Sequence, residues 1–457
     1  MKHFNDIVIG FGKGGKTLAG YLVKQGRKVA LIEKDNQMYG GTCINVGCIP
    51  SKSLITSALN NLKGPQKRAD FAEAAERYAA AINEKRRVTS MLRQKNYDKL
   101  AQNPNAEVVD GTAAFVNNKE IVVTSPKGQE NYVAERFFIN TGSVSIIPPI
   151  PGLKDNPLAY DSKSLMELDK LPKRLLIIGG GYIGVEFASM YASFGSEVTM
   201  IQDQKDFLPR EDRDVAASIQ EILTAKGIKI IAGAAITKVS HQDKTATIEY
   251  TQDKKNFSVS GEAVLVATGR RPNTDGLNLE AAGVQVTPRG AVVTDKTLKT
   301  TAPNIWAMGD VVGGLQFTYV SLDDYRIVKG QLEGKNAYTL EQRKHVPFSV
   351  FMDPPFSRVG LSETEAQQAG YKFRVLKMPA AAIPKAQVLR HPAGMLKAIV
   401  EEKTGKILGA MLLCEESYEM INIVKLAMDM NADYTVLRDQ VFTHPTMSEA
   451  LNDLFSL

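Results

Sequence analysis

Cysteine is scarce in this chain: three residues in 457, at positions 43, 48 and 414. That excludes a small secreted scaffold built on disulfides, and a chain of this length can bury its cores without one. Long apolar runs are also missing. The nearest candidate, residues 175–194, contains Gly179-Gly180-Gly181 and Glu186, so no membrane span is expected. The first apolar run, residues 7–9, is too short for a secretory leader, and Lys13 and Lys16 follow it at once. A cytoplasmic location is expected. Charge of one sign is lacking too. Lys+Arg (56) against Asp+Glu (50) leaves +6, with no basic tail and no basic stripe interleaved with aromatics, so nucleic acid is not an expected partner. What remains is ordinary globular composition, 44% hydrophobic and 23% charged. At about 100–200 residues per domain it should form two to four domains.

One unit occurs twice. Asp6-Ile-Val-Ile-Gly10 reads as a buried strand running into Gly10-Phe-Gly12-Lys-Gly-Gly15, which fits G-x-G-x-x-G. A helix to about Gly26 and a strand ending at Glu33 should follow. The second copy runs from Leu175-Leu-Ile-Ile into Gly179-Gly-Gly181-Tyr-Ile-Gly184, with a helix to Gly195 and a strand ending at Gln202. The first glycine of each permits a tight turn, the second lets backbone approach a pyrophosphate, and the third lets helix and strand pack closely. The helix N-terminus then offers free N–H groups to the phosphates. First glycine and strand end are the same distance apart in both copies, 10 to 33 and 179 to 202. Glu33 is the expected partner of ribose hydroxyls. Gln202 lacks the charge that repels a 2′-phosphate, yet no Arg stands beside it, which leans toward NADH over NADPH. Two strands ending in Thr141-Gly142 and Thr268-Gly269 should close the units. A third, Asn304-Ile-Trp-Ala-Met-Gly309-Asp310, places an acid where it can hold polyol hydroxyls.

Gly40-Gly-Thr-Cys43-Ile-Asn-Val-Gly-Cys48-Ile-Pro-Ser-Lys52 carries the reactive chemistry. C-x-x-x-x-C is not a usual zinc spacing. An ideal helix would put the two Cα atoms about 8.6 Å apart, and a disulfide needs less than about 7 Å. The stretch must be a distorted turn if the two bond, and Gly47 can supply the distortion. Pro50 suits the first turn of a following helix, which sets Cys48 near a helix N-terminus where thiolate is favoured. The spacing predicts a reversible, reactive disulfide; two buried structural thiols are the alternative. Near the other end, Val441-Phe-Thr-His444-Pro-Thr-Met-Ser-Glu449 places a carboxylate where it can orient an imidazole as an acid–base pair. Residues 67–100 read as an amphipathic surface or interface helix with Phe71, Ala75, Tyr78 and Ile82 on one face. Cys414, after an apolar strand at 407–413, reads as a buried, inert thiol.

Together these segments resemble the pyridine-nucleotide–disulfide oxidoreductases, the family of glutathione reductase, dihydrolipoamide dehydrogenase and mercuric reductase. The resemblance runs from Asp6 to the C-terminus. It implies an α/β, glutathione-reductase-like chain: an FAD-binding domain at 1–148 and 270–340, an NAD(P)-binding domain at 149–269, and an α/β dimerisation domain at 341–457. It implies FAD on the first G-x-G-x-x-G unit, NADH or NADPH on the second, and a homodimer. Cys48 resembles the flavin-proximal thiol and Cys43 the interchange thiol. His444 resembles the acid–base catalyst oriented by Glu449, reaching the active site of the other subunit. Lys52 and Glu186 resemble the ion pair beside the flavin, with Gly41 and Thr42 on the same cofactor. Thr112 and Ala113 resemble the segment that meets adenine, and Asp310 the acid on the ribityl chain.

The departures bear on the substrate. The last residues, Asn452-Asp-Leu-Phe-Ser-Leu457, hold no cysteine pair of the mercuric reductase kind. Position 442 is Phe where dihydrolipoamide dehydrogenase has a second His. Asp323 and Asp324 stand where most relatives have small or apolar residues; the choice is between a capped helix start and a substrate or metal role. The segments 207–214 and 317–327 resemble those of the bacterial reactive-chlorine-resistance flavoproteins, which are mercuric-reductase-like and associated with copper(II) reduction. That resemblance implies metal-ion reduction in oxidative-stress defence, with Cys43 and Cys48 touching the metal only as transient substrate. A disulfide or dihydrolipoamide reductase, an NADH oxidase and a redox-sensing flavoprotein are the alternatives.

Overall fold

The computed structural model describes residues 1–62, 70–335 and 338–457. The first unit is a seven-stranded sheet. β1 (Lys2–Ile9), β2 (Val29–Glu33) and β3 (Ala106–Asp110) run parallel on one side. β6 (Gly128–Ile139) lies parallel to β1 and extends through β5 (Glu120–Ser125) to β4 (Thr112–Asn117) as an antiparallel meander. The late strand β17 (Ile305–Ala307) returns to pair with β6. β1 is buried from Asp6 onward, as a parallel strand covered on both faces must be. α1 (Lys13–Lys24) covers one face of this sheet with Leu18, Ala19, Leu22 and Val23.

The chain then passes through α2 (Thr42–Asn45), α3 (Cys48–Leu62) and the long α4 (Phe71–Ala101). Asp70 caps α4 by accepting a hydrogen bond from the N–H of Glu73. The face that α4 buries is Ala74, Tyr78, Ala81, Ile82 and Lys85, while Phe71 and Ala75 are half-buried. It packs onto the second unit: the Tyr78 and Tyr191 hydroxyls meet at 3.2 Å, and Lys85 donates to Glu167 at 2.6 Å. The expected start of this helix at Lys67 falls outside the described residues.

β7 (Ser143–Ser145) and β16 (Arg270–Pro272) form a two-stranded ribbon that leads into and out of the second unit. There β8 (Ala159–Tyr160), α5 (Ser162–Leu165), β9 (Arg174–Ile178), α6 (Tyr182–Phe194), β10 (Glu197–Ile201), α7 (Arg213–Ala225) and β11 (Lys229–Ile231) follow one another. The sheet order is β11-β10-β9-β15-β8, all parallel, with β15 at Ala263–Val266. A meander of β12 (Ala235–Gln242), β13 (Thr245–Gln252) and β14 (Lys255–Gly261) precedes β15.

After α8 (Thr318–Leu332) the chain enters a five-stranded antiparallel sheet. Its strands are β18 (Phe348–Val350), β19 (Phe356–Gly360), β20 (Phe373–Pro379), β21 (Met395–Glu401) and β22 (Ile407–Leu413). It carries α9 (Glu363–Gln368), α10 (Pro384–Leu389), α11 (Ser417–Asp429), α12 (Thr435–Arg438) and α13 (Ala450–Ser456). Charge pins this sheet to the second unit. Lys397, fully buried on β21, pairs with Asp212 at 2.9 Å and Asp214 at 3.0 Å and also meets Glu363; Arg358 pairs with Glu211 at 3.2 Å. These partners explain the acidic segment at 207–214: its carboxylates neutralise buried cations. Among the described residues no helix is long and apolar enough to cross a membrane.

Candidate active site

A cleft of about 2500 Å³ opens at the strand ends of the first unit and runs toward the start of α6. Gly10, Gly12, Glu33, Thr112, Ala113 and Asp310 line one end of it. Glu33 Oε2 accepts the N–H of Phe11 at 2.9 Å, and Oε1 that of Asp35 at 3.3 Å; burial raises its pKa, those backbone donors opposing. Asp310 accepts the Ser143 hydroxyl at 2.7 Å, and that hydroxyl in turn accepts from Arg270 at 2.9 Å. Gly41, Thr42, Thr141, Gly142 and Gly269 also line the cleft. The arrangement suits FAD: an acid for ribose, a glycine turn for pyrophosphate and an anchored acid for a polyol lie along one wall.

The phosphate turn differs from the sequence expectation in one respect. The N–H groups of Gly14 and Gly15, in the first turn of α1, are not free. Gly14 donates to Ser321 Oγ at 3.1 Å and Gly15 to Asn140 Oδ1 at 2.8 Å. Gly12 and Lys13, which line the cleft, are left as the residues that could hold a phosphate.

The two cysteines meet at the floor. Cys43 sits in α2 and Cys48 opens α3, so the helical path breaks at Val46 and Gly47, as bonding distance requires. Gly47 serves by closeness, not by an unusual torsion: a side chain there would stand 3.0 Å from the carbonyl of Thr42. Cys43 is half-buried and Cys48 is exposed to the cleft. The Cys43 hydrogen bond lowers Cys48 to about 6, assisted by Thr318 and the Lys52 charge; burial and Glu186 oppose. The same hydrogen bond, with burial, pushes Cys43 well up. Cys48 Sγ lies 3.5 Å from the Thr318 hydroxyl.

Lys52 and Glu186 pair at 2.9 Å across the seam between α3 and α6. Glu186 also accepts the N–H of Phe351 at 2.8 Å, and Lys52 lies 4.4 Å from the centre of the Phe351 ring. One ion pair thus joins both nucleotide units and the C-terminal sheet.

The second glycine turn is not part of this cleft; Tyr182, Ile183 and Glu186 of α6 are. A side chain at Gly181 would meet nothing within 4 Å, so this turn stays open to a ligand. Gln202 is not available as expected. Its amide donates to the carbonyls of Gln204 at 2.8 Å and Asp206 at 2.9 Å, leaving only its oxygen for a ribose. His444 Nδ1 meets Glu449 Oε2 at 2.8 Å, and the imidazole holds the Glu449 carboxyl below its ordinary value. His444 is exposed and does not line the cleft of its own chain.

Of the two readings of Asp323 and Asp324, the structure overturns the capped helix start. The helix starts at Thr318 after Phe317, and its first turn holds no acid. Both aspartates lie in the second turn and pair with Arg343, Asp323 at 2.7 Å. Cys414 is buried as expected and pushed up to about 12 by burial. Asn140, Tyr182, Ser321 and Thr318 escaped the sequence reading. A polar residue closing the apolar run 137–139 was one available signal. Ser321 and Asp324 three apart, on one helix face, were another.

Residues 4–324 match the family model for pyridine nucleotide-disulphide oxidoreductases, and residues 346–455 match their dimerisation domain. The chain is 51% identical, over 100% of both chains, to the probable pyridine nucleotide-disulfide oxidoreductase RclA of Escherichia coli K12. It is 34% identical to a mercuric reductase of Bacillus cereus, covering 98% of this chain and 70% of that one. Among solved structures it is similar to the Cu(II) complex of the HOCl-induced flavoprotein disulfide reductase RclA from Escherichia coli. The TM-score is 0.94 at 50% identity, over 100% of this chain and 99% of the other.

Proposed function

The chain belongs to the pyridine nucleotide-disulphide oxidoreductases, and on that premise we propose that it is an NADH-dependent flavoprotein that reduces copper(II) through Cys43 and Cys48. The observation that carries this reading is the Cys43–Cys48 pair itself, two sulfurs side by side that line the cleft next to the Lys52–Glu186 ion pair. A soft sulfur pair favours copper(I) over copper(II), and a bare ion needs no pocket. The copper complex formed by the Escherichia coli neighbour supports the same acceptor. Mercury is less favoured, because the one remaining cysteine, Cys414, is buried in the C-terminal core.

FAD would supply hydride acceptance from the nicotinamide and electron release in pairs or singly. The chain's residues would position the exchange: Glu33 would hold the ribose, Gly12 and Lys13 the pyrophosphate, and Asp310 the polyol chain. Lys52, held by Glu186, keeps a positive charge beside the redox centre and favours thiolate at Cys48. One NADH and two copper(II) ions give NAD⁺, one proton and two copper(I) ions. NADH is preferred over NADPH because Gln202 is locked into its own loop and Asp203 and Asp206 follow it, a poor setting for a 2′-phosphate.

The working enzyme in this reading is a cytoplasmic homodimer joined through the 346–455 segment. Dimerisation brings His444, exposed on its own chain, to the cleft of a second copy. A second reading, reduction of a small disulfide, is favoured by the His444–Glu449 pair, since a leaving thiolate needs a proton and a metal ion does not. The deciding experiment reduces the enzyme anaerobically with NADH and offers copper(II), mercury(II), oxidised glutathione, lipoamide and oxygen in turn. Copper(II) turnover that collapses in Cys43→Ser is the expected result. Fast turnover of lipoamide or glutathione with copper inert would overturn the copper reading.

A further inference from the structure

We propose that Asn140, Ser321 and Asp324 are positioning residues for FAD: a buried polar knot that holds the cradle in its ligand-ready shape before the cofactor enters. The three segments that face FAD lie far apart in sequence, at 10–15, 140–142 and 308–310. Pairing of β1, β6 and β17 sets their ends side by side, and Asn140 ties together the turns beyond those ends: its Oδ1 accepts from Gly15 at 2.8 Å, and its Nδ2 donates to the Met308 carbonyl at 2.6 Å and to Ser321 Oγ at 3.4 Å. Ser321 accepts from Gly14 at 3.1 Å, which ties α8 to the phosphate turn. Asp324 accepts the Gly309 N–H at 2.6 Å, one residue before Asp310. Its other oxygen is held by Arg343, which also binds Asp323. All three side chains are buried.

Each polar side-chain atom of the knot has a protein partner, so the knot persists without FAD. A cradle ordered in advance spares the cofactor the entropy of ordering three loops. The packing is close enough to enforce the shape: a Cβ at Gly12 would stand 2.4 Å from Asn140 Oδ1, and one at Gly309 would stand 2.8 Å from Ser321 Oγ.

The test follows FAD release from purified holoenzyme on dilution, read as the recovery of free flavin fluorescence. ADP-ribose affinity at the second unit and the melting temperature are measured in parallel. Asn140→Asp keeps the shape but sets an acceptor against the Met308 carbonyl; Ser321→Ala removes one acceptor and should fold readily. The expected result is FAD affinity weakened about 100-fold in Asn140→Asp and about tenfold in Ser321→Ala, with ADP-ribose affinity within twofold of wild type. FAD retention within twofold of wild type in Ser321→Ala, or in folded Asn140→Asp, overturns the proposal. So does weaker FAD binding matched by equal loss of ADP-ribose affinity, which marks general unfolding. The inference rests on FAD in the first unit. Wild-type enzyme isolated without FAD would sink that reading, whereas variants that keep FAD sink only the knot. Copper turnover enters neither outcome.

Discussion

The two nucleotide units share strand, glycine turn and helix, yet they are finished differently. In the first, the turn is filled by the protein itself: Asn140 and Ser321 take the first-turn N–H groups, and a Cβ at Gly12 would collide with Asn140. In the second, a side chain at Gly181 would meet nothing within 4 Å, so the turn faces open space there. A site built in advance suits a cofactor that stays. A site left open suits a coenzyme that arrives and leaves at each turnover. The same motif is thus finished in two ways, by what surrounds the glycines.

Substitutions of the glycines should break this contrast most sharply. Gly12→Ala pushes a methyl into Asn140, so loss of FAD and a stability decrease of about 1–3 kcal/mol are expected, read by denaturant unfolding. A next, somewhat smaller effect is expected from Gln202→Glu. It replaces two buried donations to carbonyls with repulsion and should lower stability by about 1–2 kcal/mol without tightening NADH binding. Restoring the usual acid thus fails to restore the usual function. Gly181→Ala leaves the fold and melting temperature unchanged, because nothing stands within 4 Å, yet weakens NADH binding about tenfold or more. Equal stability effects at Gly12 and Gly181 would erase the distinction between the units.

The seam between them gives the smallest effect. Cys48 titrates at about 6 against an ordinary value of 9.0, so it is thiolate above pH 6 and protonates below. Lys52→Gln removes one of the charges that favour thiolate. The titration of reduced protein, followed by ultraviolet thiolate absorbance, should move upward by about half a unit. Less thiolate then remains at pH 6.5. An unmoved titration would mean that Lys52 does not act on Cys48.

The sequence already showed both turns, both strand ends, the cysteine pair and the His444–Glu449 partnership, because each is a local pattern with fixed spacing. The break between Cys43 and Cys48 followed from helix geometry once the two were taken to bond. The polar knot was not legible, since Asn140 and Ser321 are 181 residues apart and Gly14 and Ser321 are 307 apart. The partner of Asp324 was hidden for a related reason: its place near a helix start suggested the helix dipole as one of two readings, but Arg343 lies 19 residues on, in the strap leading to the C-terminal sheet. Gln202 looked free because nothing in the sequence says that its loop folds back onto it.

The central claim is that electrons from NADH reach the Cys43–Cys48 pair. The most direct measurement counts thiols. Oxidised enzyme, before and after one equivalent of NADH under nitrogen, is unfolded in a maleimide and weighed by mass spectrometry. Of the three cysteines, only Cys414 should label before reduction, and Cys43 and Cys48 should join it afterwards. An unchanged count before and after NADH would contradict the account.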